Sequence, residues 1–268
     1  MKNPFDNPVY RLDLRSRVRE KRLWILAVFF VLVPLALSLL GLVEPSKPGR
    51  DPFPEAGQLL GGFALFSHGA LLVLLSALGA AQRISQERER RTLPALVNSP
   101  LGAARIANGK LLGAWTFSAW LACLTLPFLA VASLWGGLSA GELLCAWLLN
   151  VAAAFAAAAF ALGLSGLFGR SLSAYLATGA VLFLWCAVVP IVGAMVGGLS
   201  DPEGTGLQVL ATLAWYHLPL APQVWFFTEG FEGENVSLWP PVAALLAWAL
   251  LAWAGRALAV RGLKREVY

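Results

Sequence analysis

The chain has 268 residues, of which 58% are apolar and only 13% charged, with a formal net charge of +5. Soluble domains carry roughly a quarter charged residues, so this balance and a mean hydropathy of +0.69 exclude a soluble globular protein and point to a membrane. Two His and two Met give little support to a zinc or copper pathway.

The N-terminal arm, residues 1–22, is basic. From Pro8 to Arg22 it has no helix breaker, and Arg11, Arg15, Arg19 and Arg22 share one helical face while Val9, Leu12 and Leu23 lie on another. The pattern predicts a helix lying along the inner membrane surface; a solvated basic arm is the alternative. Leu23–Val43 is the first long apolar run, and Glu44-Pro45-Ser46-Lys47-Pro48 follows it in place of a small-residue cleavage site. It therefore reads as a retained anchor, not a signal peptide. Glu44–Ala56, rich in Pro and Gly, reads as an irregular loop.

Five more runs follow at about Leu59–Ala81, Leu111–Trp135, Leu143–Phe168, Leu172–Leu199 and Leu238–Val260. Each is long enough to cross a bilayer, which takes about 20 residues. None alternates as a barrel strand does, so helices are expected. The fold class is all-α: a polytopic membrane protein of six transmembrane helices forming one membrane domain over 1–268. Lys and Arg set its orientation. The arm, residues 82–110, Arg170 and the tail residues Arg256, Arg261, Lys264 and Arg265 hold roughly 18 of the 20, leaving Lys47 and Arg50 on the other side. Both termini are thus expected inside, in a multi-pass protein of the inner (plasma) membrane. The inner-leaflet lipid accounts for these charges without a nucleic-acid partner.

Tight turns are expected near Gly136-Gly137 and at Gly169-Arg170-Ser171. The segment 200–237 has acidic flanks and an aromatic centre with Trp215, Tyr216, Trp225 and Phe226, interrupted by Pro219 and Pro222. Two short re-entrant helices in the outer leaflet fit it better than a loop in water. Gly109/Gly113, Gly193/Gly197 and the alanines of 152–159 offer small faces for close helix packing, within or between protomers. Cys123, Cys145 and Cys186 lie in apolar runs without metal or disulfide spacing.

Several chemistries lack their residues. A phosphate loop needs its first Gly and a Ser or Thr after Lys; here Ala104 stands at the first position and Leu111 follows Lys110. The chain cannot hydrolyse ATP alone. No acidic relay of an ion-coupled transporter is visible in the spans. His68, alone in its apolar run, reads as a packing residue or a functional polar contact. Gly163-Leu164-Ser165-Gly166 is similar to the serine motif of rhomboid intramembrane proteases, but the sixth span holds no His to serve as base. That reading is disfavoured.

The charged island 83–110, with Glu87-Arg88-Glu89-Arg90-Arg91, is the main departure from the apolar background. Arg83/Glu87 and Glu87/Arg91 have i,i+4 spacing for helical pairs. Thr92 is placed to cap a second short helix with Pro94 in its first turn. Leu93, Leu96 and Val97 then form an apolar patch expected to face a groove on another protein, with the charges around its rim.

Ser85-Gln86-Glu87-Arg88-Glu89-Arg90-Arg91-Thr92-Leu93, then Ser99-Pro100-Leu101, Ile106 and Gly109-Lys110-Leu111-Leu112 resemble the signature of type-2 ABC transporter permeases between spans two and three. Two positions depart from it: Arg91 stands where Gly is common, and Pro94 where Glu is common. The resemblance implies a non-enzymatic permease subunit of an ATP-driven exporter. Two six-span protomers, a homodimer or close paralogues, would pair above separate ABC ATP-binding subunits that hold the ATP and magnesium; no cofactor is expected in this chain. It further implies a coupling helix with Glu87, Arg88, Glu89, Arg91, Thr92, Leu93 and Leu96 at the ATPase contact, a second contact at Arg170, and an outer gate at Trp215, Tyr216, Trp225 and Phe226. The alternative is a non-transport membrane scaffold that uses the island to bind another cytoplasmic partner.

Overall fold

A computed structural model describes residues 6–18, 25, 27–32, 35, 36, 52–136, 139–185 and 239–265. Among these the fold is all-α. The helices are α1 (Pro8–Val18), α2 (Pro52–Ala81), α3 (Ser85–Glu89), α4 (Leu93–Val97), α5 (Ala103–Cys123), α6 (Leu126–Trp135), α7 (Ala140–Leu167), α8 (Ser171–Phe183) and α9 (Trp239–Lys264). Residues 27–32 of the first apolar run are also helical. Among the described residues, four segments are long and apolar enough to cross a membrane: Ala56–Glu89, Ala103–Trp135, Ala140–Leu167 and Val242–Lys264. They correspond to the expected spans two, three, four and six. Most of the first run, the second half of the fifth, the Gly193/Gly197 pair and Cys186 lie outside the described residues, as does the 200–237 segment with Trp215, Tyr216, Trp225 and Phe226.

Local chemistry moves several boundaries. The loop expected over Glu44–Ala56 is shorter, because α2 already begins at Pro52; Pro is tolerated in a first turn, where its missing N–H has no helical partner anyway. The third apolar run is broken at Leu124-Thr125. Pro127 cannot donate and its ring crowds the carbonyl four residues back, so α5 ends and α6 starts afresh. α7 begins before its apolar run through a capping box: the Glu142 amide donates to Ser139 Oγ (3.3 Å) and the Ser139 amide to Glu142 Oε2 (2.9 Å).

α7 is the central helix, with α2 and α9 packed along its length. Its alanine face explains this. Ala153, Ala154 and Ala156–Ala159 are buried, and a Cβ on Gly163 would come within 2.6 Å of the Gly255 carbonyl oxygen on α9. The two backbones touch, so the small residues serve packing within this chain. Phe30 of the first run is buried with Leu72, Leu121, Ala122 and Ala154. His68 is fully buried; its Nδ1 lies 2.8 Å from the Ala64 carbonyl and its ring between Phe30 (4.3 Å) and Phe128 (5.7 Å). It is a packing residue of the α2 core.

α1 forms as expected but docks on α5. Asn7 caps it, accepting from the Val9 amide (3.1 Å) while its Nδ2 donates to the Arg105 carbonyl (2.7 Å). A Cβ on Gly109 would lie 2.7 Å from Asn7 Nδ2 and 2.9 Å from Val9 Cβ. Tyr10 is buried, whereas Leu12 is 75% exposed. The contact face is Asn7, Val9, Tyr10 and Asp13, because the Gly109/Gly113 groove admits these side chains, while Leu12 points away from it.

Candidate functional site

At one end of the bundle, here called its foot, α2 gives way to the turn at 82–84 and the pair α3 and α4. This is the charged island. The link between α3 and α4 is a Schellman turn: the Thr92 amide donates to the Glu87 carbonyl (2.9 Å) and the Arg91 amide to the Arg88 carbonyl (3.1 Å). Such a turn requires a left-handed residue after the helix cap, and Arg91 has φ 57°. Glycine reaches that conformation without steric cost, which gives the physical reason Gly is common at this position in the signature. Thr92 stands at the start of α4, but its hydroxyl donates back to the Glu87 carbonyl (3.3 Å) and does not cap α4. Ser99 Oγ closes the far end on the Leu96 carbonyl (2.6 Å).

The island's direct ion pairs run across elements, with the expected Arg83/Glu87 spacing adding only a secondary attraction. Arg83 pairs with Asp13 of α1. Glu87 Oε1 pairs with Lys110 Nζ of α5 at 2.5 Å, and the same ammonium donates to the Arg83 carbonyl (3.0 Å). Lys110 is only 3% exposed, so this pair holds α3 against α5 with little solvent screening. Burial pushes the Asp13 carboxyl above its ordinary 3.8, with Arg83 and Lys110 pulling the other way.

Arg88 and Glu89 join the island to the α7–α8 turn. Arg88 donates to the Phe168 carbonyl (2.5 Å) and the Gly166 carbonyl (3.3 Å), two acceptors that the end of α7 leaves without helical donors. Glu89 accepts from the Ser171 amide (2.9 Å) and hydroxyl (2.6 Å) at the start of α8. These bonds, the hydroxyl first, hold the exposed Glu89 carboxyl below the usual carboxylate value, with a smaller contribution from Arg170. From the α7 side, Ser165 Oγ accepts from the Ile84 amide (3.0 Å) and the Ser85 amide (3.1 Å) and lies 3.2 Å from Ser85 Oγ. Ser165 is fully buried. Its hydroxyl is consumed in holding the start of α3, and Gly163 and Gly166 pack on α9, so the G-x-S-G run is explained by packing and needs no nucleophile.

The apolar patch of α4 faces the opposite way to the expectation. Leu93 is fully buried in the core that also holds Ile84, Ile106 and Leu162, and Leu96 and Val97 pack partly against it. The patch is what fastens a five-residue helix, too short to be stable alone, to the foot of the bundle. Glu89, Arg90, Arg91, Thr92, Pro94, Ala95, Asn98 and Pro100 are exposed beside it, with Arg170 exposed on the adjoining turn. The sequence singled out Glu87 to Leu96, Arg170, Lys110 of the signature and Ser165 of the G-x-S-G run, but not Asp13, and it did not give the contacts that join them.

A family model described as ABC-2 family transporter protein matches residues 8–255. The chain belongs to the ABC-2 transporter family. It is a membrane-embedded transport component and not itself a catalyst. The match begins at α1 and ends within α9, so the docked arm and the joined island are parts of the ABC-2 domain. A comparison with curated proteins finds no match.

Proposed function

We propose that this ABC-2 chain is the permease subunit of an ATP-driven exporter in the inner (plasma) membrane. Two protomers of six spans each, identical or closely related, enclose the substrate path, and a separate ATP-binding subunit carries the ATP and magnesium. The observation that carries this reading is the single joined foot: α3 is bonded to α5 through Glu87–Lys110 and to the α7–α8 turn through Arg88, Glu89 and Ser165. A push on the exposed surface of α3 and α4 therefore reaches three span-forming helices at once. That is what a subunit without a phosphate loop needs from its drive element. The push changes the cavity only if ATP and substrate stabilise the two states unequally.

In this reading Arg91, Thr92 and Arg170, together with Arg90, Pro94 and Ala95, meet the ATPase. Glu87, Arg88, Glu89, Leu93 and Leu96 transmit the force by holding the island rigid. α1, Arg83 and the end of α9 lie at the same foot, in keeping with both termini inside and with α1 as an interfacial helix. Trp215, Tyr216, Trp225 and Phe226 act as the outer gate on the strength of their aromatic, Pro-interrupted sequence.

The test is co-purification with a candidate ATP-binding subunit that carries a phosphate loop, followed by Arg90→Glu and Ala95→Arg. Both substitutions alter exposed side chains, so the permease should fold and the complex should weaken at least tenfold. Full complex formation by both variants defeats the docking face. A complex that forms while ATP hydrolysis ignores the permease favours a scaffold.

A further inference from the structure

A groove of about 420 Å³ lies between α5, α7 and α9. Its size falls within the roughly 300–1,000 Å³ of ligand sites. Leu111, Phe155, Leu245, Trp248 and Trp253 make its walls apolar, and Arg256 closes one end. On the same helix Leu246 and Leu250 are 63% and 68% exposed, and Trp253 68%, so this side of α9 is turned away from the protein core.

Arg256 is the only charged residue of α9 before Arg261. Its Nε donates to the neutral Asn108 Oδ1 at 2.7 Å. Among the described residues it makes no ion pair with a carboxylate. A guanidinium has five donors in a fork suited to a phosphate, and leaving a cation within a spanning helix without an anion is costly. Arg256 also lies eight residues before the end of α9, roughly 12 Å along its axis, a depth from which an arginine reaches the headgroup layer. Trp248, on the wall of the groove, is 2% exposed, and its buried Nε1 has no acceptor among the described residues.

We propose that this groove holds one anionic phospholipid, with an acyl chain along Phe155, Trp248 and Trp253 and its phosphate on Arg256. The charge complementarity selects an anionic lipid over a zwitterionic one. This binding is separate from the ATPase docking face and from transport itself.

The experiment is native mass spectrometry of the full chain released from nanodiscs of phosphatidylglycerol and phosphatidylcholine at one to four. The expected result is that phosphatidylglycerol makes up about half of the retained lipid, a preference on the order of fivefold over phosphatidylcholine, the effect of one basic residue near a membrane surface. Arg256→Gln should abolish the enrichment, while Arg256→Lys and the tail variant Arg265→Gln keep most of it; thermal unfolding of each variant checks that it is folded. Equal retention of both lipids, or unchanged enrichment in folded Arg256→Gln, overturns the proposal. A groove covered by a second copy would show no lipid preference and would let Trp253→Cys cross-link between copies, which overturns it as well.

Discussion

Glu89 at the end of α3 accepts both the amide and the hydroxyl of Ser171 at the start of α8, so two segments 82 residues apart form one surface. The contact is polar and exposed, and it is sensitive to pH. Hydrogen bonding lowers the Glu89 pKa in the folded chain relative to its ordinary 4.5. A lowered carboxylate pKa contributes stability that is fully present above the unfolded value and is lost as pH falls through the folded one. The wild-type chain should therefore lose stability below about pH 4.5 more steeply than Glu89→Gln, as thermal unfolding across pH 6 to 3 would record. Parallel curves for the two proteins would remove the contact from the account.

Arg88 satisfies the Gly166 and Phe168 carbonyls that α7 cannot satisfy itself. Arg88→Ala leaves them with water or nothing and should destabilise the chain by about 1–3 kcal/mol. If the island transmits force through this bond, the same variant keeps the ATP-binding subunit bound but loses most of the coupling between hydrolysis and transport. Pull-down and transport assays on one preparation separate the two effects.

Ser165→Ala removes the acceptor for the Ile84 and Ser85 amides. Orphaned buried donors cost about 1–3 kcal/mol, so thermal stability should drop by that order. A serine acting as nucleophile predicts the reverse pattern, with stability kept and activity abolished. Measuring both on purified Ser165→Ala decides between them.

Arg91 holds φ 57°, a conformation costing a non-glycine residue roughly 1–2 kcal/mol. Arg91→Gly should relieve this and stabilise the α3–α4 turn by up to about 1 kcal/mol after the entropy of glycine is subtracted. Arg91→Val should destabilise it, since a β-branched residue resists that conformation. Because Arg91 also lies on the proposed docking face, Arg91→Gly is expected to raise thermal stability while lowering affinity for the ATPase.

Gly109→Leu places a side chain where Asn7 and Val9 now sit. It should displace α1 from α5 and open the arm to trypsin at Arg11 and Arg15, with the membrane bundle intact. Unchanged cleavage kinetics would show that the arm is not held by this groove.

The apolar runs, the all-helical class and the charged island could be read from the chain alone, because bilayer thickness and the cost of burying charge act on each segment separately. The broken third run and the capping box at Ser139 were equally local, written in Pro127 and in the Ser139/Glu142 spacing. The partners of the island were not. Glu87 had Arg83 and Arg91 within one helical turn, yet it pairs with Lys110, because the packed bundle brings a buried ammonium closer than any local charge. The α4 patch could face inward or outward by periodicity alone; the space beside Ile84, Ile106 and Leu162 drew Leu93 in. Only the tertiary structure made that choice, since burial depends on residues far along the chain, and it turned an apparent docking patch into the anchor of the surface beside it.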